Sequence, residues 1–324
     1  MESIFLRENR EQIFKKYNQE ELERDIKNFL SGSGKLGKLL NHYFEEEMFK
    51  CKGGRGNLSP MEALNDDQVV EKILTFTRSK PKFYVGNDIA NVKSFFRNAG
   101  RTAQKVANFP VKEAFEIYTK YSEIGDTIYD PSCGFGSRLS ATLLGNRNYI
   151  GTDPNKTLFK KLEECGNFLI EQIQPQQLFN NYFKLYNQGS EILIPEIVGT
   201  VDLCFTSPPY FDLEKYGEDS EQSINKYPYY SQWVEYFVKP TIDNCIAYTK
   251  SGGHILFNIK NMTSGKKHKL YDAFFDYMSS KTELELVEVM EMNQLSKRDY
   301  KGMHFTGVNT DFGVKEPVMV FKRK

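Results

Sequence analysis

The stretch Val201 to Tyr210, VDLCFTSPPY, constrains this chain more than any other. A short apolar run ends abruptly at two adjacent prolines, which have no N–H to give to a ladder, so it predicts a buried strand that must stop at Ser207. In an open α/β sheet the carboxyl end of a strand is where ligands sit. The turn offers a hydroxyl on Ser207, carbonyls released from the ladder by Pro208 and Pro209, and the aromatic face of Tyr210. Those groups suit a planar ring carrying an amino group. A purely structural Pro-rich turn is the alternative that this stretch alone leaves open.

The chain around it has the alternation that such a sheet needs. Thr127-Ile128-Tyr129 reads as a strand running into Asp130-Pro131-Ser132-Cys133-Gly134-Phe135-Gly136-Ser137 and then a helix from Arg138. A strand, a glycine-bearing turn and a helix bring backbone amides close to a ligand at a helix N-terminus. The spacing is not GxGxxG and the Walker lysine is missing, which disfavours a nucleoside triphosphate. A second strand, Asn148 to Gly151, ends in Thr152-Asp153-Pro154-Asn155. Asp153 falls at about the distance from Asp130 at which an acid after the second strand reaches a ribose diol. A cap for the helix beginning near Asn155 is its structural alternative.

Phe183 to Tyr186 is a third strand, ending near Gly189-Ser190, and His254 to Ile259 a fifth. Leu284 to Met292 and Pro317 to Phe321 read as two final strands, joined by a loop carrying Lys297, Arg298, Lys301 and His304. Between the fourth and fifth strands, the polar, aromatic segment Phe211 to Tyr230 reads as a lid or substrate loop. A helix from Ser231 is expected to be interrupted at Pro240 and to end at Gly252-Gly253. From Thr127 onward this order predicts an α/β, doubly wound, mainly parallel sheet. Its first and fourth strands flank the switch point, so one cleft can hold a nucleoside and a planar substrate side by side.

The first part of the chain reads as helical. Ile13, Phe14, Tyr17, Leu22, Ile26, Phe29 and Leu30 keep a helical period up to Ser31-Gly32-Ser33-Gly34, and a second helix covers Leu36 to Phe49. Gly53 to Gly56 forms a basic loop, and Ser59-Pro60 has the form of a helix start. Asp88 is placed as the cap of a helix carrying Lys93, Arg97, Arg101 and Lys105, each four residues after the last. That spacing sets the cations along one face, as a phosphate-facing stripe needs. A solvated helix face gives the same pattern.

Lysine plus arginine and aspartate plus glutamate both number 43, so a nucleic-acid surface must be a local concentration of charge. The five cysteines are scattered without a CxxC pair, and the four histidines are dispersed, so neither a disulfide framework nor a metal site is expected. The N-terminus is charged and lacks an apolar signal core, and no run has the length of a membrane span. A soluble, cytoplasmic protein without membrane contact is expected.

Taken in order, DPSCGFGS, GTDPN and TSPPY resemble the amino-group DNA methyltransferases that use S-adenosyl-L-methionine. The resemblance covers about residues 105 to 324 and implies a Rossmann-like methyltransferase sheet of seven mostly parallel strands behind a helical accessory region, residues 1 to 104. It implies that Asp130, Pro131, Ser132, Cys133, Gly134, Phe135, Gly136 and Ser137 hold the methionine portion of the cofactor. Asp153 would bind the ribose hydroxyls. Phe109 and Pro110 are similar to the motif beside the cofactor's carboxylate. Ser190 stands where the family often has an acid near the adenine ring.

Ser207, Pro208, Pro209 and Tyr210 match the tetrapeptide that receives a flipped base. Its serine resembles the form common among enzymes methylating cytosine N4, whereas aspartate or asparagine is commoner among adenine-N6 enzymes. Acceptors on Ser207 and Pro208 aimed at the amine would bare its lone pair, and Tyr210 would stack on the ring. No cysteine nucleophile is needed, so Cys133 and Cys204 are expected to be packing residues. The implied partner is double-stranded DNA, contacted by Lys93, Arg97, Arg101, Lys105, Lys297, Arg298 and Lys301. A cognate restriction endonuclease or recognition subunit is a further implied partner. The rival readings are an RNA methyltransferase and a non-catalytic DNA-binding module on the same fold.

Overall fold

The computed structural model describes residues 2–53, 57–80, 86–98, 102–173, 181–217, 220–262, 268–292 and 316–324. Helices come first: α1 Ile4–Ile13, α2 Gln19–Leu30, α3 Gly37–Lys50, α4 Pro60–Leu64, α5 Asp67–Arg78, α6 Asp88–Asn98 and α7 Val111–Tyr121. The alternating part follows with β1 Thr127–Asp130, α8 Ser137–Leu144, β2 Asn148–Thr152, α9 Lys156–Ile173, β3 Phe183–Tyr186 and β4 Val201–Thr206. It continues with α10 Ser223–Lys226, α11 Tyr230–Trp233, α12 Lys239–Tyr248, β5 Thr249–Asn258, α13 Leu270–Ser279, β6 Leu284–Met292 and β7 Glu316–Arg323.

The seven strands form one sheet in the order β3-β2-β1-β4-β5-β7-β6. The first five in that order pair in parallel, and β7 lies antiparallel to both its neighbours. This is the doubly wound sheet that the sequence predicts. Strands β1 and β4 are adjacent, with Ile128 opposite Leu203 and Tyr129 opposite Cys204. The period of two in the strands sends alternate residues to two separate cores. Ile128, Tyr149, Leu203, Leu256 and Val320 pack with α7, α8 and α9 on one face. Tyr129, Ile150, Cys204, Phe257 and Met319 pack with α12 and α13 on the other. Among the described residues no helix is long and apolar enough to cross a membrane.

Several local expectations are corrected. The apolar period from Ile13 to Leu30 is not one helix, because Asn18 caps α2 with a reciprocal box to Glu21 and breaks the run. Asp88 does not cap α6; the Asn87 side chain accepts from the N–H of Ala90, while Asp88 pairs with Arg78 at 2.6 Å. Pro240 does not interrupt its helix. A π-helical turn, Val234–Val238, widens the coil just before it and carries the ring without a break. Gly252 and Gly253 lie within β5 and do not end α12, which stops at Tyr248. There the register against β4 slips between Val201 and Leu203.

The basic stripe is also corrected. Helix α6 ends at Asn98, and the chain turns back so that the N–H of Lys105 donates to Phe96 O. Lys93 and Lys105 converge on one buried carboxylate, Glu45 on α3, at 2.8 and 3.4 Å. Lys93 also donates to Ile13 O at 2.7 Å, and Lys105 lies over the Phe49 ring. These two lysines therefore tie helices together through one carboxylate and do not form a stripe along a single helix face. Arg97 is exposed. Arg101, Lys297, Arg298 and Lys301 lie outside the described residues.

The helical region does not stand apart from the sheet. Leu22, Ile26, Phe29, Leu39, Phe44 and Met48 of α2 and α3 are buried in the same apolar cluster as β1 and β4. Helices α1, α4, α5 and α6 build a further cluster of their own with Phe49 and Ala103. Glu45 is the polar tie between these layers. Replacing it, Glu45→Gln, leaves two half-buried ammonium groups without their shared counter-charge. We expect a loss of about 3 kcal/mol of stability, read from the midpoint and slope of urea unfolding.

Candidate active site

The turn after β1 is built around one carboxylate. Asp130 is fully buried and accepts from four donors: the N–H of Ser132 at 3.2 Å, the Thr206 hydroxyl at 2.9 Å, Arg138 Nε at 2.9 Å and the Tyr149 hydroxyl at 2.9 Å. Those donors come from the turn, the end of β4, helix α8 and strand β2. Arg138 also donates from Nη2 to Ser132 O, closing the turn on itself. Gly134 and Gly136 have φ of 56° and 72°, the left-handed region that favours glycine. At Gly136 a Cβ would lie 2.5 Å from the Phe44 ring of α3, so the N-terminal layer presses directly on this turn.

Above the turn lies a cavity of about 1200 Å³ at the carboxyl ends of β1 and β4. Of the turn expected to hold a ligand, Pro131, Ser132, Gly134 and Phe135 line it. Asp130, Cys133, Gly136 and Ser137 do not; they shape the wall from behind. Cys133 is buried against Gly151, where a Cβ would meet its sulfur, and burial pushes its thiol well up, so it is a packing thiol. Cys204 is likewise buried, beside the Thr249 hydroxyl at 3.2 Å.

Asp153 reaches the same cavity from the end of β2. Its carboxylate accepts from the N–H of Gly134 at 3.2 Å and of Asn155 at 3.0 Å. The cap of α9 is Asn155, whose side chain accepts from the N–H of Thr157 and Leu158. Burial pushes the Asp153 carboxyl up to about 6, against the opposing pull of its two backbone donors. Phe109 and Pro110 also line the cavity, and Asn108 holds that segment to the turn by donating to Phe135 O at 2.9 Å. Ser190 also lines it, with its hydroxyl 2.8 Å from that of Thr241.

Ser207, Pro208, Pro209 and Tyr210 complete the wall. The Tyr210 hydroxyl accepts from the N–H of Lys260 at 3.2 Å, which locks the ring. Phe211 follows with φ 48°, an unusual value for a side chain of that size. Its ring is held by Tyr230, Trp233 and His268 at 5.0–5.5 Å. The tetrapeptide is thus held at its end by Tyr210 and Phe211 and just before its start by Thr206, which donates to Asp130. The segment after it is tied down too: Lys215 pairs with Lys52 as an antiparallel bridge to the N-terminal region.

Five further residues of the wall are not among the site candidates read from the sequence. Arg138 lines the cavity with its guanidinium 5.7 Å from the Phe109 ring centre. Glu113, Glu191 and Glu214 place carboxylates in the wall, and Tyr216 donates its hydroxyl to Glu214. Burial, with Glu316 adding to it, pushes Glu214 upward. Glu191 gives one oxygen to Lys226 at 3.0 Å and keeps the other buried without a partner among the described residues. The run Gly189-Ser190-Glu191 is the one place where an acid could have been found, one residue beyond Ser190.

No protein-family model and no curated protein sequence matches the chain. Among solved structures it is similar to a TehB-like S-adenosylmethionine-dependent methyltransferase from Corynebacterium glutamicum, at 14% identity over 65% of this chain and 87% of that one, TM-score 0.42. It is also similar to an N-methyltransferase from Bradyrhizobium japonicum in complex with S-adenosyl-L-homocysteine, at 12% identity over 66% and 85%, TM-score 0.40. A third is magnesium protoporphyrin IX methyltransferase from Synechocystis with bound S-adenosylmethionine, at 11% identity over 66% and 78%, TM-score 0.40. Likeness of this degree leaves the chemistry to be read from this chain's own residues.

The Asp130 carboxylate is expected to be irreplaceable. Asp130→Asn keeps the shape but leaves the buried Arg138 guanidinium uncompensated, at a cost of about 3 to 5 kcal/mol. Chemical denaturation of the purified variant measures it.

Proposed function

We propose that this protein is an S-adenosylmethionine-dependent DNA methyltransferase acting on the exocyclic amine of a flipped base, cytosine N4 first. The observation that carries the reading is the single cavity shared by the β1 turn, Asp153 and the Ser207 to Tyr210 tetrapeptide. A nucleoside fits its cofactor side. Asp153 offers a carboxylate at the end of β2, and the Glu191 Oε2 is buried without a partner among the described residues. A ribose diol and an adenine amino group are donors that suit such acceptors.

When bound, the cofactor supplies a methyl group activated on a sulfonium centre. The remaining work falls to the chain. Asp153 accepts the ribose hydroxyls and fixes the nucleoside's depth. Ser207 and the Pro208 carbonyl accept the N–H groups of the target amine, which favours pyramidal nitrogen and bares its lone pair. The locked Tyr210 ring forms one face of the base site. Positioning would supply most of the rate, by holding the amine's lone pair toward the group to be transferred, and the surplus proton of the methylated amine, held by Ser207 or the Pro208 carbonyl, would then pass to solvent.

Incubation with methyl-labelled S-adenosylmethionine and mixed-sequence duplex DNA, in parallel with RNA, should yield labelled N4-methylcytosine in DNA. Labelled N6-methyladenine would keep the mechanism and change the base, whereas label confined to RNA would overturn the DNA reading. Pro208→Ala, which keeps the carbonyl but frees the backbone that aims it, and Tyr210→Ala, which removes one face of the base site, should each lower transfer at least about a hundredfold while sparing cofactor binding, a loss of the size seen when a transition-state contact is lost or misaligned.

Cofactor affinity should depend on pH with a defined sign. The diol needs an ionised acceptor, and Asp153 takes up its proton as pH falls through about 6. Below that value affinity should drop about tenfold per unit, and Asp153→Asn should bind weakly with no such slope. Titration calorimetry between pH 5 and 8 reads both. The same upward shift acts oppositely on stability: its contribution is full below the usual carboxylate range and is lost as pH rises through about 6.

A further inference from the structure

Glu113 is a buried acid for which neither the fold nor the chemistry above has a use. It sits in the first turn of α7 and is 7% exposed, and its Oε1 is shut from solvent with no hydrogen-bond partner among the described residues. The residue forms part of the cavity wall next to Phe109 and Pro110. A glutamate at this place in a helix commonly turns back to accept the N–H of the capping residue. Here the capping residue is Pro110, which has none. None of the cations in the same wall, Lys50, Arg97, Arg138, Lys156 and Lys260, donates to that oxygen among the described residues, and Arg138 is turned to Asp130 and Ser132 O. Leaving a buried acceptor unmade is costly, so an acid kept in this state points to a donor that arrives from outside.

A cationic donor meets that need best, because it offsets the charge as well as filling the acceptor. Asp153 and the unpartnered oxygen of Glu191 can take the nucleoside, and Glu113 lies in another part of the same wall, on α7. The cofactor of the preceding section has an amino-acid end that carries an ammonium group. We propose that Glu113 binds that ammonium group, an assignment that rests on the cofactor reading above. It makes Glu113 the residue by which the protein distinguishes the whole cofactor from nucleosides that lack the amino-acid end.

The test compares S-adenosyl-L-homocysteine with 5′-methylthioadenosine, which shares the nucleoside and sulfur but has no amino acid. Calorimetry on the wild-type protein should show a strong preference for the first. Glu113→Gln should weaken the homocysteine compound at least tenfold, leave methylthioadenosine unchanged and leave the melting temperature unchanged or higher. Glu113→Asp should recover part of the preference. Equal weakening of both ligands would make Glu113 a structural residue and overturn the assignment, as would no change in either. If the wild-type protein binds neither ligand, the cofactor reading itself fails and the assignment goes with it.

Discussion

One buried carboxylate organises this molecule. Asp130 sits at the end of the central strand β1, and its four donors arrive from four different elements. A charge at that depth is tolerable only when fully satisfied, and Arg138 supplies both the counter-charge and a second tie to the turn. The bond to Thr206 has a further effect. It joins the turn after β1 to the last residue of β4, immediately before Ser207. The two walls of the cavity are thereby held in register from beneath, by a residue that does not itself line the cavity.

The cavity depends equally on the helices that precede the sheet. Phe44 of α3 presses on Gly136, and Lys52 pairs with Lys215 in the segment that follows the tetrapeptide. Glu45, next to Phe44, draws Lys93 and Lys105 inward. The first helices are therefore part of the site's structure. Basic residues that look in the sequence like a surface for phosphate are used, in two of the four cases, as internal fasteners.

The site also contains more acid than its proposed chemistry requires. Asp153, Glu113, Glu191 and Glu214 come from the end of β2, the start of α7, the turn after β3 and the segment after β4. Acids so placed do not repel a cofactor with a positive sulfur and a positive amino group. Two of them, Glu113 and Glu191, keep a buried oxygen without a partner among the described residues, which marks where donors are wanted.

The sequence by itself determined the sheet, the position of its switch point and the two stretches that meet there. Those features are local: a strand's period of two, prolines that stop a ladder, glycines where φ must be positive. Asp153 and the Ser207 to Tyr210 turn were legible for the same reason. Only the tertiary structure decided that Asp130 acts from behind the wall, that Lys93 and Lys105 face inward, and that Glu113, Glu191 and Glu214 enter the cavity. A charged residue's role depends on which distant group it meets and how much water remains around it. Neither quantity is written in the spacing of residues along a chain.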